Sequence, residues 1–385
     1  MIFIHHSGHV TGGAVTLLPS GGLIGDAFFM LTGYYAVRHI CVRTGKNKTT
    51  ESSVTPGKDE ISGRPLLYCI KYTLNKLIRL FPYMAFGTVI IYILEYVNDI
   101  RLKGSVDVVD ITSRSKDMLI ELLYLPLTGL MGEISALNYR NAPMWYLSAL
   151  LIALPVVMYL CIRLGKVFKY ILVWAVPVCL QIFMLKAFNG VLPWQQFAGP
   201  VSSGYIRGIS SLLMGGGIYY VSEYIRNRYN SGYTSGTADT TATADTAAKQ
   251  ARPDAGYGRK GNKSKAFWVF SILEVVLLIV FFGCVAVGVT GFYELAALYV
   301  IEAMFMLSLS GITFLSGLSF KHAGYLGRLS LPIYCIHWGI YRWVASFFGY
   351  LDYRAAMLLT LVLCLITAIL LVAVLNRLSL HKKRA

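Results

Sequence analysis

The chain has 385 residues, 56% of them hydrophobic and only 14% charged, a balance outside the range of water-soluble globular domains. Its formal net charge of +16 does not read as a nucleic-acid surface, because Lys and Arg cluster in short stretches between apolar runs, where they orient a chain in a bilayer and attract anionic lipid. The 7 cysteines are odd in number, scattered and mostly inside apolar runs, a pattern that excludes a disulfide framework and a zinc site.

The chain starts MIFIHHSGHV: four apolar residues, then His5 and His6, with His9 beyond Ser7 and Gly8. Four apolar positions are too few for the core of a signal peptide, and no basic region precedes them. They are expected to close a first spanning helix truncated at its N-terminus, with the reading frame continuing upstream. A full crossing takes about 20 apolar residues. Runs of that kind lie near residues 22–40, 77–97, 145–163, 168–188, 207–225, 267–289, 295–317, 329–348 and 355–376. With the incomplete first segment they predict an all-α integral membrane protein of about ten transmembrane helices.

The basic residues agree with that count. Arg43, Lys46, Lys48, Lys58, Arg64 and Lys71 fall in one loop, Arg163, Lys166 and Lys169 in the next loop on the same side, and Arg226, Arg228 and the basic residues from Lys249 to Lys265 in the next. Lys321, Arg328 and the tail NRLSLHKKRA join them, so this side and both termini are expected in the cytoplasm. Residues 98–144 instead carry Asp99, Asp107, Asp110, Asp117, Glu121 and Glu133, as an outer loop would. Within it, MLIELLYLPLTGLMG is short for a span and holds Glu121, which predicts a re-entrant or surface helix. Residues 227–266 are Gly, Ser, Thr, Ala and Asp with basic ends, too poor in large apolar residues to fold. The whole chain, 1–385, thus reads as a single membrane domain: six helices in 1–226, a disordered cytoplasmic linker in 227–266, then four helices and a basic tail in 267–385.

Polar and ionisable residues inside a bilayer are costly, so each is a candidate for function. His5 and His6 end the first helix. Asp26, in GLIGDAFFMLTGYYA, reads equally as an N-cap of the second helix or as a site residue. Lys76 and Arg79 start the third in KLIRLFPYM, where anchoring to the cytoplasmic face is the alternative to binding. Asn141 and Trp145 open the fourth and Arg207 the sixth. Glu274, Glu302 and His337 lie within later spans, where each can also serve by bonding a neighbouring helix. The glycines at 215–217 read as close helix packing.

In order, a histidine ending the first helix, then GDAFFMLTGYY, KLIRLFPYM, NAPMWYLSAL, GYIRGISSLLMGG and YLGRLSLPIYCIH, the chain resembles the acyltransferase 3 family of bacterial membrane proteins over nearly its whole length. That resemblance implies a ten-helix enzyme of the inner (cytoplasmic) membrane. It would move an acyl group, usually acetyl, from acetyl-CoA or another acyl-CoA to hydroxyls of cell-surface or exported carbohydrate. The family's first motif is an arginine, ten residues and then the catalytic histidine, and here that arginine would precede Met1. The family's Ser-Gly is Thr32-Gly33, and its paired arginines read Lys76 and Arg79, so the bidentate fork at the first is lost.

The chemistry fits these residues on its own terms. A sugar hydroxyl is a weak nucleophile and needs a positioned base, and imidazole titrates nearest neutral pH. His6 is the expected base, ahead of His5, with Asp26 as a catalytic partner. Lys76, Arg79, Trp145, Arg207, Glu302 and His337 are the expected binders of donor and acceptor, with no metal in the site. The expected partners are the carbohydrate acceptor and the lipid bilayer, not nucleic acid. The rival reading is a transporter or polysaccharide exporter using buried His, Glu and Arg for coupling. No related halves stand in the sequence to support it.

Overall fold

The computed structural model describes residues 2–6, 18–44, 61, 63–105, 107–125, 140–193, 195–198, 201–234, 265–318 and 323–382. Eleven α-helices carry almost all of them: α1 (Ile2–His5), α2 (Gly22–Arg43), α3 (Pro65–Lys103), α4 (Val108–Leu122), α5 (Trp145–Val167), α6 (Val173–Phe188), α7 (Ser203–Thr234), α8 (Lys265–Val287), α9 (Phe292–Ser310), α10 (Ala323–Phe347) and α11 (Tyr353–Lys382). A two-residue hairpin, Phe197–Ala198 with Val201–Ser202, is the strand content among the described residues.

Each of the nine apolar runs falls on a helix, with ends set by local chemistry. The run expected at 295–317 stops at Ser310, because Gly311 turns into the left-handed region at φ 79° and closes the helix. The helix expected to end near 225 continues through Thr234. Among the described residues, five stretches are long and apolar enough to cross a membrane: Pro65–Lys103, Ala142–Phe188, Lys265–Val287, Phe292–Ser310 and Tyr353–Arg377. The second of these holds both α5 and α6, bent at Gly165 and joined by a π-turn at Phe168–Leu172.

The helices outside that set include α2 and α7, and position explains their polarity. They pack on each other more extensively than any other pair, and the first half of α7 is almost entirely buried. A helix surrounded by helices has no lipid to face and can carry Asp26, Arg207 and several serines. By contrast α8 and α11 expose most of their apolar side chains. Small residues allow the closest crossings. A Cβ on Gly33 would overlap the Leu212 carbonyl of α7, and one on Gly215 would overlap the Met30 carbonyl of α2. Gly87 of α3 lies in the same way against the Cys335 carbonyl of α10.

The bundle has two chemically different ends. At one, His5 and the start of α2 meet the starts of α5 and α7; at the other lie Arg43, Lys71, Lys76 and Arg79. The surface helix expected around Glu121 is α4, which begins earlier, at Val108, where the Asp107 side chain caps it by accepting from the Val109 amide at 3.1 Å. Residues 126–139, the rest of that expected stretch, lie outside the described residues, as do His9 and the linker from 235 to 264. Glu121 turns inward, accepting from the Arg140 amide at 2.5 Å and the Tyr92 hydroxyl at 3.4 Å. Burial pushes its carboxyl up to about 7, against the opposing pull of those donors.

Candidate active site

Three glycines prepare the first site. Gly21, Gly22 and Gly25 leave the start of α2 without side chains, so that the His5 ring, the Arg207 guanidinium and the Trp145 indole close directly on its backbone. The result is a cavity of about 210 Å³ whose walls include His5, His6, Pro143, Trp145, Arg207 and Tyr334.

Beneath it lies a fully buried ion pair. Arg207 Nε donates to both Asp26 oxygens, at 2.9 and 3.0 Å, and Nη2 donates to Oδ2 at 2.7 Å. Ser211, one turn along α7, donates to Asp26 Oδ1 at 2.9 Å. The remaining guanidinium donors reach the Leu192 and Gly22 carbonyls, and the Trp145 ring lies 4.9 Å from the Arg207 carbon. This overturns the N-cap alternative for Asp26. The cap of α2 is Gly21, without a side-chain bond, and the carboxylate is spent on an arginine far away in sequence. Buried charge is tolerable only with this density of partners.

The histidines sit on the opposite wall. His5 Nδ1 lies 2.8 Å from the Leu18 carbonyl, so it carries the proton and leaves Nε2 as the basic nitrogen. His6 packs 4.7 Å from His5, stacks on His337 at 5.2 Å and meets Trp338 edge-on at 4.9 Å. His337, wholly buried on α10, donates from Nδ1 to the Tyr334 carbonyl at 2.7 Å. Its Nε2 has no hydrogen-bond partner among the described residues.

At the other end, a cavity of about 560 Å³ is walled by Arg43, Lys71, Lys76, Arg79, and by Tyr68 with His39, whose Nε2 lies 2.7 Å from the tyrosine hydroxyl. A line of polar contacts leaves it toward the first cavity. Lys76 Nζ donates to Thr32 Oγ1 at 3.3 Å, Thr32 meets the Tyr146 hydroxyl at 2.9 Å, and Tyr146 donates to the Phe28 carbonyl at 3.2 Å. The rings of Phe28, Tyr146 and Tyr334 then form a septum, with centroids 5.9 to 6.3 Å apart. Tyr334 belongs to the wall of the histidine cavity.

The family model for the acyltransferase 3 domain matches residues 1–377, essentially the whole chain. The chain belongs to the acyltransferase 3 family. It is therefore a membrane acyltransferase, and its helices are those of a multi-pass membrane protein. Neither the curated proteins nor the solved structures contain a match to it.

In this acyltransferase the residues singled out by sequence divide among three places. His5, His6, Trp145 and Arg207 wall the histidine cavity, with Asp26 beneath Arg207 and His337 behind His6. Lys76 and Arg79 wall the basic cavity. Glu302 belongs to neither: it lies beside Gly217 where α9 packs on α7, and Glu274 is bonded to Ser308 of α9. Sequence reasoning missed Ser211, Tyr334 and Trp338 around the histidine cavity. Arg43 and Lys71, read from the sequence as orienting charges, also wall the basic cavity. Ser211 was recoverable, since it stands at i+4 from Arg207 on one helix face. The roles of Tyr334 and Trp338 depend on contacts between distant helices and leave no local mark.

Proposed function

We propose that the protein is an O-acyltransferase that moves an acyl group, acetyl in the simplest case, from acyl-CoA at the basic end to a hydroxyl of a carbohydrate at the histidine end. The observation that supports this reading is the pair of cavities on one bundle. One concentrates cations suited to phosphates, the other presents imidazoles over an immobilised ion pair, and the Lys76–Thr32–Tyr146 line runs between them. On this reading the basic end faces the cytoplasm, about ten helices cross the inner membrane, and both termini are cytoplasmic.

The chemistry then assigns itself by position. Lys71, Lys76, Arg79 and Arg43 hold the donor's phosphates, with Arg79 offering the fork that Lys76 lacks. One imidazole takes the proton from the attacking hydroxyl as the new carbon–oxygen bond forms at the thioester carbonyl. The carbon–sulfur bond breaks as the tetrahedral adduct collapses, and the imidazolium returns its proton to the departing thiolate. His5 has an orienting bond of the kind a general base needs, on the Leu18 carbonyl, and we assign the base to it, where the sequence favoured His6. Arg207 supplies positive charge near the adduct at no cost of reorganisation, since Asp26, Leu192 and Gly22 already fix it.

The test is direct. Membranes carrying the protein, incubated with acetyl-labelled CoA and the surface glycans of the host, should gain base-labile label on carbohydrate. A strain lacking the protein should lose the matching ester increment from its glycan masses. Unchanged ester content in the deletion strain, with the protein shown to be present in the parent, would sink this reading.

A further inference from the structure

A second chamber adjoins the histidine cavity and has no part in the chemistry above. It is an open cleft of about 480 Å³ between the turn at Pro19–Ser20, the segment at Leu192–Pro193 that follows α6, and the α8–α9 turn, with Glu294 of α9 in its wall. Pro19 and Leu192 line both cavities, so the two adjoin there.

Its walls are firmly built. Ser20 Oγ accepts from the Val289 amide at 2.8 Å and donates to the Val289 carbonyl at 3.1 Å, tying the α1–α2 connection to the α8–α9 turn. That turn takes its shape from Gly288 and Gly291, at φ 83° and 59°, a conformation in which other residues are strained. Glu294 is 8% exposed, and its Oε2 accepts from the amides of Val191 at 2.8 Å and Leu192 at 3.2 Å. The hydrogen bonds that Glu294 makes to Val191 and Leu192 both fall on Oε2, and the residue lines the cleft.

The Leu192 peptide also joins the two sites. Its N–H donates to Glu294 in the chamber, while its carbonyl accepts from Arg207 beneath the histidines. A ligand bound to Glu294 therefore acts on the same peptide that holds Arg207.

We infer that this chamber is the acceptor subsite, and that Glu294 Oε1 accepts hydrogen bonds from hydroxyls of an uncharged sugar ring beside the one to be acylated. The inference rests on the acyl-transfer reading above and adds a place for the second substrate. Three features select that chemical class. A nearly buried carboxylate oxygen with lone pairs to spare accepts hydroxyl donors and repels phosphates and uronic acids. An amine would be held there as its cation and would lose the lone pair it needs to attack. The volume lies within the range of small-ligand pockets, about 300 to 1,000 Å³, which admits a sugar ring or two.

Two measurements on the purified full chain in lipid test it, using the methyl glycosides of common neutral hexoses as probes. In the first, Thr290→Cys introduces a thiol into the chamber wall of a Cys179→Ser background, which removes the exposed native thiol. Saturating glycoside should slow its reaction with a methanethiosulfonate at least threefold, and adding Glu294→Gln should abolish the protection. In the second, Glu294→Gln should raise the KM for glycoside about tenfold, the loss of one charge-assisted hydrogen bond, with the KM for acetyl-CoA unchanged. Labelling that no glycoside slows, or a rise in both KM values together, would overturn the subsite. Protection without any acyl transfer would leave the subsite standing and count against acyl transfer itself; transfer without protection would do the reverse.

Discussion

His5 and His6 are neighbours in sequence, yet they meet different surroundings: His5 is bonded to the Leu18 carbonyl, and His6 packs against His337 and Trp338. If the base is His5, His5→Ala should lower the rate of acyl transfer by about 10² to 10⁴ while the protein still accumulates in the membrane. His6→Ala should cost less. The opposite ranking, measured as kcat with acetyl-CoA at matched protein levels, would move the base to His6. Asp26 makes a prediction of another kind. Removing it strands a buried guanidinium, so Asp26→Ala should destabilise the protein by about 3 to 5 kcal/mol and lower its melting temperature in detergent. Sequence alone marked both Asp26 and Arg207 as unusual, because any ionisable group within an apolar run is. That they spend their charges on each other was not legible, since nothing near either residue records a partner that comes from another helix.

Among the elements, the spanning helices were legible because the bilayer imposes length and apolarity on them, and the nine runs fall on helices for that reason. Helix α4 was located only in part. Its first turns carry Asp110, Arg114, Lys116 and Asp117, which hide a helix whose one buried ionisable residue is Glu121. That residue gives a pH-dependent prediction. Its carboxyl titrates at about 7 in the fold against 4.5 for the free group, so the fold favours the protonated form. The stability it contributes is whole below about pH 4.5 and is lost as the pH rises through about 7. Glu121→Gln should therefore leave stability near the parent's at pH 5 and raise it by something on the order of 2 kcal/mol at pH 8. Chemical denaturation at the two pH values would show it; equal curves for variant and parent at both would contradict it. The α2–α7 crossing is a second test of an element. Gly33→Val places a side chain where the Leu212 carbonyl already lies, and the helices must separate. The variant should lose its melting transition or its membrane accumulation, whereas Gly283→Val on α8, where nothing lies within 4 Å of an added Cβ, should keep both.

At the scale of the whole molecule, separation of the two cavities predicts separable kinetics. On the proposed reading, Arg79→Ala should raise the KM for acetyl-CoA several-fold and leave the KM for acceptor alone. Parallel changes in both would place donor and acceptor in one cavity. The basic end was only half legible: Arg43, Lys71, Lys76 and Arg79 were all visible as cations, but nothing in the sequence records that they wall one hollow. The ring septum of Phe28, Tyr146 and Tyr334 has an electrical consequence. Where water enters a bundle from both ends, the transmembrane voltage falls mostly across the dry layer that remains. Carrying one elementary charge through that layer takes about 2.3 kcal/mol for each 100 mV, apart from the larger cost of dehydrating it. An acetyl thioester is neutral. On the proposed reading it enters the steepest part of the field without electrical work while the anionic remainder of the donor stays outside, and the same rings keep an enzyme that serves both faces of a membrane from leaking ions between them.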